Sequence, residues 1–203
     1  MTATSKIAVI DHGLGNLRSV MRGLEAAGCC PVVTADPELI ASADGIVLPG
    51  VGAFAEGMEK LAPVRRVVEV AVREKPLLGI CLGMQMLLER SEEHGMHEGL
   101  GMIPGSVRLF PRMPGLKVPQ VGWNTITPSD HPLFADVAGG TFVYFVHSYY
   151  ADPTAECTIA RTEYIVPYAS AVARGNAMGV QFHPEKSGPA GLGILRNFVA
   201  MTE

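Results

Sequence analysis

No stretch of this chain is long and apolar enough to read as a membrane span. The longest uncharged apolar stretch covers residues 76–88 and is interrupted by Gly79, Gly83 and Gln85. A spanning helix needs roughly 18 to 20 such residues. A basic run is missing as well: 16 Lys+Arg stand against 20 Asp+Glu, a net charge of −4. The chain therefore lacks an electrostatic footprint for nucleic acid or an anionic membrane surface. Its first residues, MTATSKIAVIDHG, hold one lysine and a short apolar run. That is not the apolar core of a signal peptide, so the expected compartment is the cytoplasm. The four cysteines, Cys29, Cys30, Cys81 and Cys157, form no C-x-x-C pair. In a reducing compartment they read as free thiols, any of which can be catalytic. Nor is there a G-x-S-x-G, which removes serine hydrolases built on that elbow.

What remains is a chain of 203 residues, 48% apolar and 18% charged, with a mean hydropathy of +0.24. That composition buries a full core, and one domain over 1–203 is expected, with no linker or repeat. The first half alternates short apolar runs with helical patterns. Strands are predicted at 6–10, 31–34, 45–48 and 77–80. Helices are predicted over 37–43, 53–60, 64–74 and 82–91, and over a face formed by Leu17, Val20, Met21 and Leu24 that Gly28 closes. Such alternation implies βαβ units and a mostly parallel sheet flanked by helices. From 106 to 181 the punctuation becomes Pro/Gly with alternating segments, which suggests antiparallel strands added to that α/β sheet. A last helix carries Leu192, Leu195, Phe198 and Val199 on one face.

The sharpest chemical signal is Gly79-Ile80-Cys81-Leu82-Gly83, between a predicted strand and a predicted helix. It is the cysteine form of the nucleophile elbow, a tight turn that exposes its central side chain above the sheet edge. There Cys81 would meet the positive end of the next helix, which favours thiolate, and the Leu82 N–H would face a developing oxyanion. On the elbow alone, a nucleophile and an inert core thiol stay equally open. A nucleophile needs a base, and the base an orienting partner. His183-Pro184-Glu185 offers both; alone the triplet reads sooner as a surface pair flanking a proline turn, but the apolar strand predicted over 179–182 points His183 at the same sheet edge as Cys81. Proline forces His183 into extended backbone, where i and i+2 share a side, so Glu185 can reach one imidazole nitrogen.

Gly50-Val51-Gly52-Ala53-Phe54-Ala55 formally satisfies G-x-G-x-x-A. However, Pro49 sits in the turn, the motif comes after the third strand, and Glu69 is misplaced for ribose binding. A backbone-amide turn at Val51 and Gly52, giving the second oxyanion donor, is the better reading. Gly13-Leu14-Gly15-Asn16 is a second such turn, with Arg18 breaking the dinucleotide pattern. His94 and His97 flank Gly95 without a third ligand at a sensible spacing, so no metal and no cofactor is expected. Met84 and Met86 read as core filling. His12 and His131 carry no argument of their own.

GICLGMQ at 79–85 with QFHPE at 181–185 resembles the class I, triad-type glutamine amidotransferases. DHGLGNLRSV at 11–20, PGVGAF at 49–54, GLGMIPGSV at 99–107, VPQVGWN at 118–124, YFVHSYY at 144–150 and HPEKS at 183–187 narrow the likeness. Together they resemble the glutaminase subunits of imidazole glycerol phosphate synthase, of histidine biosynthesis. The resemblance implies Cys81 as nucleophile, His183 as acid/base and Glu185 as its orienter. It implies Gly52, Gln85, Glu93, Ser148 and Tyr149 around a bound glutamine, whose zwitterion suits a carboxylate with hydroxyl and amide donors. It also implies a (β/α)8-barrel cyclase as partner, since ammonia released into water is lost as ammonium. Trp123, an aromatic of the kind found at interfaces, would face that partner together with Tyr144 and Lys186. Two positions depart from the family pattern: His12 replaces a usual tyrosine and Gln120 a common histidine. The competing readings are another ammonia-donating glutaminase subunit, such as that of pyridoxal phosphate synthase, a non-catalytic regulatory subunit, and a generic cysteine hydrolase.

Overall fold

The computed structural model describes residues 4–203, so the start of the expected domain, 1–3, lies outside the described residues. The first half runs β1 (Lys6–Ile10), α1 (Leu17–Ala27), β2 (Cys30–Thr34), α2 (Pro37–Ser42), β3 (Gly45–Gly50), α3 (Phe54–Ala71) and β4 (Leu77–Cys81). Local chemistry sets the boundaries. The Asn16 side chain accepts from Ser19 N–H at the start of α1, and Gly28, at φ 99°, ends it. Asp36 caps α2 ahead of Pro37. β3 and β4 are buried along their whole length, as parallel strands between two helical layers must be.

The second half adds α4 (Leu82–Met86), β5 (Leu88–Ser91), β6 (His97–Glu98), β7 (Ile103–Leu109), β8 (Gln120–Pro128) and β9 (Thr141–His147). β10 (Tyr149–Pro153), β11 (Thr158–Glu163), β12 (Pro167–Arg174), β13 (Ala177–Val180) and α5 (Gly188–Ala200) complete it. The sheet order is β2-β1-β3-β4-β13-β12-β10-β7-β5-β6. From β2 to β13 every pair is parallel, and β12, β10 and β7 then add antiparallel neighbours. β8 and β9 stand off that path as an antiparallel ribbon joined through β11. Strand alternation divides the core: Ile7 and Val9 pack toward α1 and α5, while Ala8 and Ile10 pack toward α2 and α3.

Two expected elements differ. The helix predicted over 82–91 is only the five residues of α4, after which β5 pairs with β7 in parallel. Residues 82–88 are buried throughout, so no solvent face exists for a helical period to reveal. The helices predicted over 53–60 and 64–74 are one helix, α3, which runs through Pro63. Pro63 removes one backbone bond. The continuous face of Phe54, Gly57, Leu61, Val64, Val68 and Ala71 is buried on both sides of it and holds the helix together.

The elbow glycines act through missing volume. A Cβ at Gly83 would lie 1.8 Å from the Leu48 carbonyl oxygen, and one at Gly79 would lie 2.7 Å from the Gly83 backbone. The strained residue is Cys81 itself, at φ 55° and ψ −107°. Gly83→Ala must push α4 off β3 and should destabilise by about 3 kcal/mol or more. Denaturant unfolding of that variant checks it, and a wild-type midpoint would show that the turn relaxes freely.

Candidate active site

β4 and β13 are parallel neighbours with Ile80 opposite Val180, so the chain leaves both strands on the same side of the sheet. Cys81 ends β4 and His183 lies three residues past β13. Both line a cavity of about 420 Å³, large enough for a small polar metabolite. Cys81 is 6% exposed, and the amide Nε2 of Gln181 approaches its Sγ at 3.7 Å.

The His183 ring is buried, with Nδ1 2.8 Å from Glu185 Oε1. Burial works against its charge. The hydrogen bonds and charges of Cys81 and Glu185 prevail and push its pKa up to about 9. Nε2 has no aligned partner, so the ring feels Cys81 nearby while that nitrogen stays free for a proton transfer. The dipole expected behind Cys81 is weaker than the sequence suggests, because α4 has five residues rather than ten.

Val51, Gly52 and Leu82 line the same cavity. Gly52 stands at φ 104°, and the Leu82 N–H, first in α4, has no acceptor within its helix. Gln85, Glu93, Ser148 and Tyr149 line the cavity too, so all expected glutamine-pocket residues are brought together. Two have structural duties besides. The Gln85 amide donates to the Tyr149 carbonyl and to Gln181 Oε1, both at 3.0 Å, leaving its own oxygen free. Glu93 accepts from Phe54 N–H at 2.6 Å, which caps α3 where Ala53 has no side chain to do so.

The two positions that depart from the family pattern both hold the walls. His12 is buried with Nε2 2.6 Å from the Pro49 carbonyl oxygen, so its ring donates to the turn carrying Val51. Gln120 and Tyr168 bond to one another at 3.0 Å, and the Tyr168 hydroxyl also lies 3.3 Å from His147 Nε2. His147 lines the cavity, and its Nδ1–H donates to the Tyr149 carbonyl at 2.8 Å. Burial pushes its pKa down to about 4, so it is a neutral strut. No role for His147, Gln181 or Tyr168 was legible in the sequence; a lone histidine in an otherwise apolar alternating strand was the available signal for the first.

Away from the cavity, period-2 alternation puts Val121, Trp123, Phe142, Tyr144 and Val146 on the outer face of the β8–β9 ribbon. Trp123 is 56% exposed and Phe142 59%. Trp123 meets Tyr144 edge-on at 6.1 Å, and Lys186 Nζ stands 5.9 Å from the Tyr144 ring centre. Among the described residues, no helix is long and apolar enough to cross a membrane.

The class-I glutamine amidotransferase model matches residues 8–201. An imidazole glycerol phosphate synthase subunit HisH of Methanosarcina mazei is 56% identical, across 97% of this chain and 98% of that protein. The protein of that name from Methanosarcina acetivorans is 54% identical with the same coverage. Among solved structures, PurLQS from Thermotoga maritima matches with a TM-score of 0.74 at 18% identity, covering 98% of this chain and 100% of that one. This chain belongs to the class-I glutamine amidotransferases.

Proposed function

We propose that the chain is the glutaminase subunit of an imidazole glycerol phosphate synthase, acting in the cytoplasm. It hydrolyses L-glutamine and passes the ammonia to a (β/α)8-barrel cyclase. One observation carries the chemistry: Cys81 and the Glu185-bonded His183 share a cavity at the ends of adjacent parallel strands. Cys81 reacts as the thiolate, its proton held by the cationic His183, and attacks the carboxamide carbon of glutamine. The tetrahedral oxyanion is met by the N–H groups of Leu82 and of the Val51–Gly52 turn. His183, cationic at neutral pH, protonates the departing nitrogen and ammonia leaves. The neutral ring then takes a proton from water, hydroxide adds to the thioester, and glutamate departs as Cys81 is restored. Glu93, Ser148 and Tyr149 suit the zwitterionic end of glutamine, with Gln85 and Gly52 beside them.

Ammonia set free into water is protonated and lost as a nucleophile, so the product needs a receiver that docks. The exposed ribbon face supports this: a contiguous apolar, aromatic patch is what a partner covers. Trp123 is its anchor, with Tyr144 and Lys186 beside it.

The test measures glutamate release with and without the barrel cyclase and its ribotide ligand. Release is expected to be low alone and to rise with the liganded cyclase. Trp123→Ala should lose most of that rise through weaker binding, by about 2 kcal/mol, with an unchanged melting temperature. Equal release with and without the cyclase would reassign the acceptor, and no release at all would leave a silent binding subunit.

A further inference from the structure

The segment bearing the acid/base is fastened to β9 by one direct backbone hydrogen bond and by two more that meet at one buried hydroxyl. His183 N–H donates to the Tyr144 carbonyl at 2.9 Å. Tyr144 N–H donates to Ser187 Oγ at 3.0 Å, and that hydroxyl donates to the His183 carbonyl at 2.7 Å. Ser187 is 2% exposed. Its one proton and an acceptor site are thus committed to the backbone of the residue that moves protons and of the strand beside it.

The allocation is unusual for a serine in this position. Ser187 is the N-cap residue of α5, where a hydroxyl ordinarily accepts from an amide of the first turn. It makes no such bond here. Pro189 in that first turn has no N–H to offer, and the hydroxyl is turned the other way. The need is plain from the topology. Ladder pairing of β13 ends at Val180, so His183 lies beyond the strand that aims it. Glu185 fixes the ring about its own axis, but a ring is only as well placed as the backbone that carries it.

We propose that Ser187 is a positioning residue for the proton-transfer step, its hydroxyl locking the main chain of His183 to Tyr144 so that the imidazole stays against Cys81. This rests on His183 being the acid/base.

The experiment compares glutamate release by Ser187→Ala, Ser187→Cys and Ser187→Asp in the full chain with its cyclase, alongside His183→Ala. Ser187→Ala should lower kcat about tenfold, as a displaced catalytic group does, with an unchanged KM for glutamine. Ser187→Cys fills the site with a slightly larger, weakly hydrogen-bonding thiol and should be slowed likewise, which keeps the test open if the alanine variant fails to fold. Ser187→Asp is a strong N-cap that cannot donate to the His183 carbonyl at neutral pH, and it should not recover the rate. NMR titration of His183 should show its midpoint falling from about 9 in the slowed variants, which a mere helix cap would not change. Wild-type turnover in the alanine and cysteine variants, or recovery in the aspartate variant, overturns the assignment to Ser187. Full activity in His183→Ala overturns the underlying reading instead.

Discussion

Cys81→Ala should lose glutamate release by about 10⁴-fold or more, since removing a nucleophile leaves only binding and the oxyanion donors. The protein should stay folded. Cys81 stands at φ 55°, a strain alanine bears no worse than cysteine, and the lost sulfur comes from a cavity wall where water can replace it. The other thiols cannot substitute. Burial pushes Cys29 up to about 11, Cys157 is buried, and neither they nor the exposed Cys30 line the cavity. A diazoketone that mimics glutamine should therefore give one adduct on the wild type and none on the variant. Glutamate release by Cys81→Ala at anything near the wild-type rate would end the thioester mechanism.

The parts of this site that were legible in the sequence are those set by short-range geometry. G-x-C-x-G between strand and helix, and His-Pro-Glu after a strand, each encode their shape within five residues. Their meeting comes from the rule that adjacent parallel strands end together. One expectation failed where burial erased the pattern: the all-buried run from Leu82 to Leu88 has no polar face, so helix and strand could not be told apart. Pro63 misled for the opposite reason, since a local helix breaker is outweighed by a buried face on both sides of it. Long-range hydrogen bonding was out of reach altogether. Gln85 finds its partners 64 and 96 positions away, and Ser187 meets Tyr144 across 43. No composition or period carries such pairings, and the resemblance that pointed to Gln85 and Glu93 as ligand contacts did not disclose that each also braces a wall.

Glu185→Gln is expected to cut kcat by about 100-fold or more, because a neutral amide neither fixes the reactive tautomer nor stabilises the imidazolium. It should also change how stability depends on pH. In the wild type the His183 pKa is raised from 6.5 to about 9. The protonated ring therefore favours the folded state fully below pH 6.5, and this contribution fades as pH rises through about 9. Above that, Glu185 is a carboxylate buried beside a neutral ring, with Oε2 lacking any partner, an arrangement that costs stability. The glutamine variant removes the charge, lets the His183 pKa fall, and flattens the slope between those limits. Its melting temperature should lie below the wild type near pH 6 and meet or pass it near pH 10. Lost turnover together with equal or higher stability near pH 10 in that variant would show that Glu185 is held for what it does to His183. Parallel melting curves for the two proteins across that range would instead assign Glu185 to packing alone.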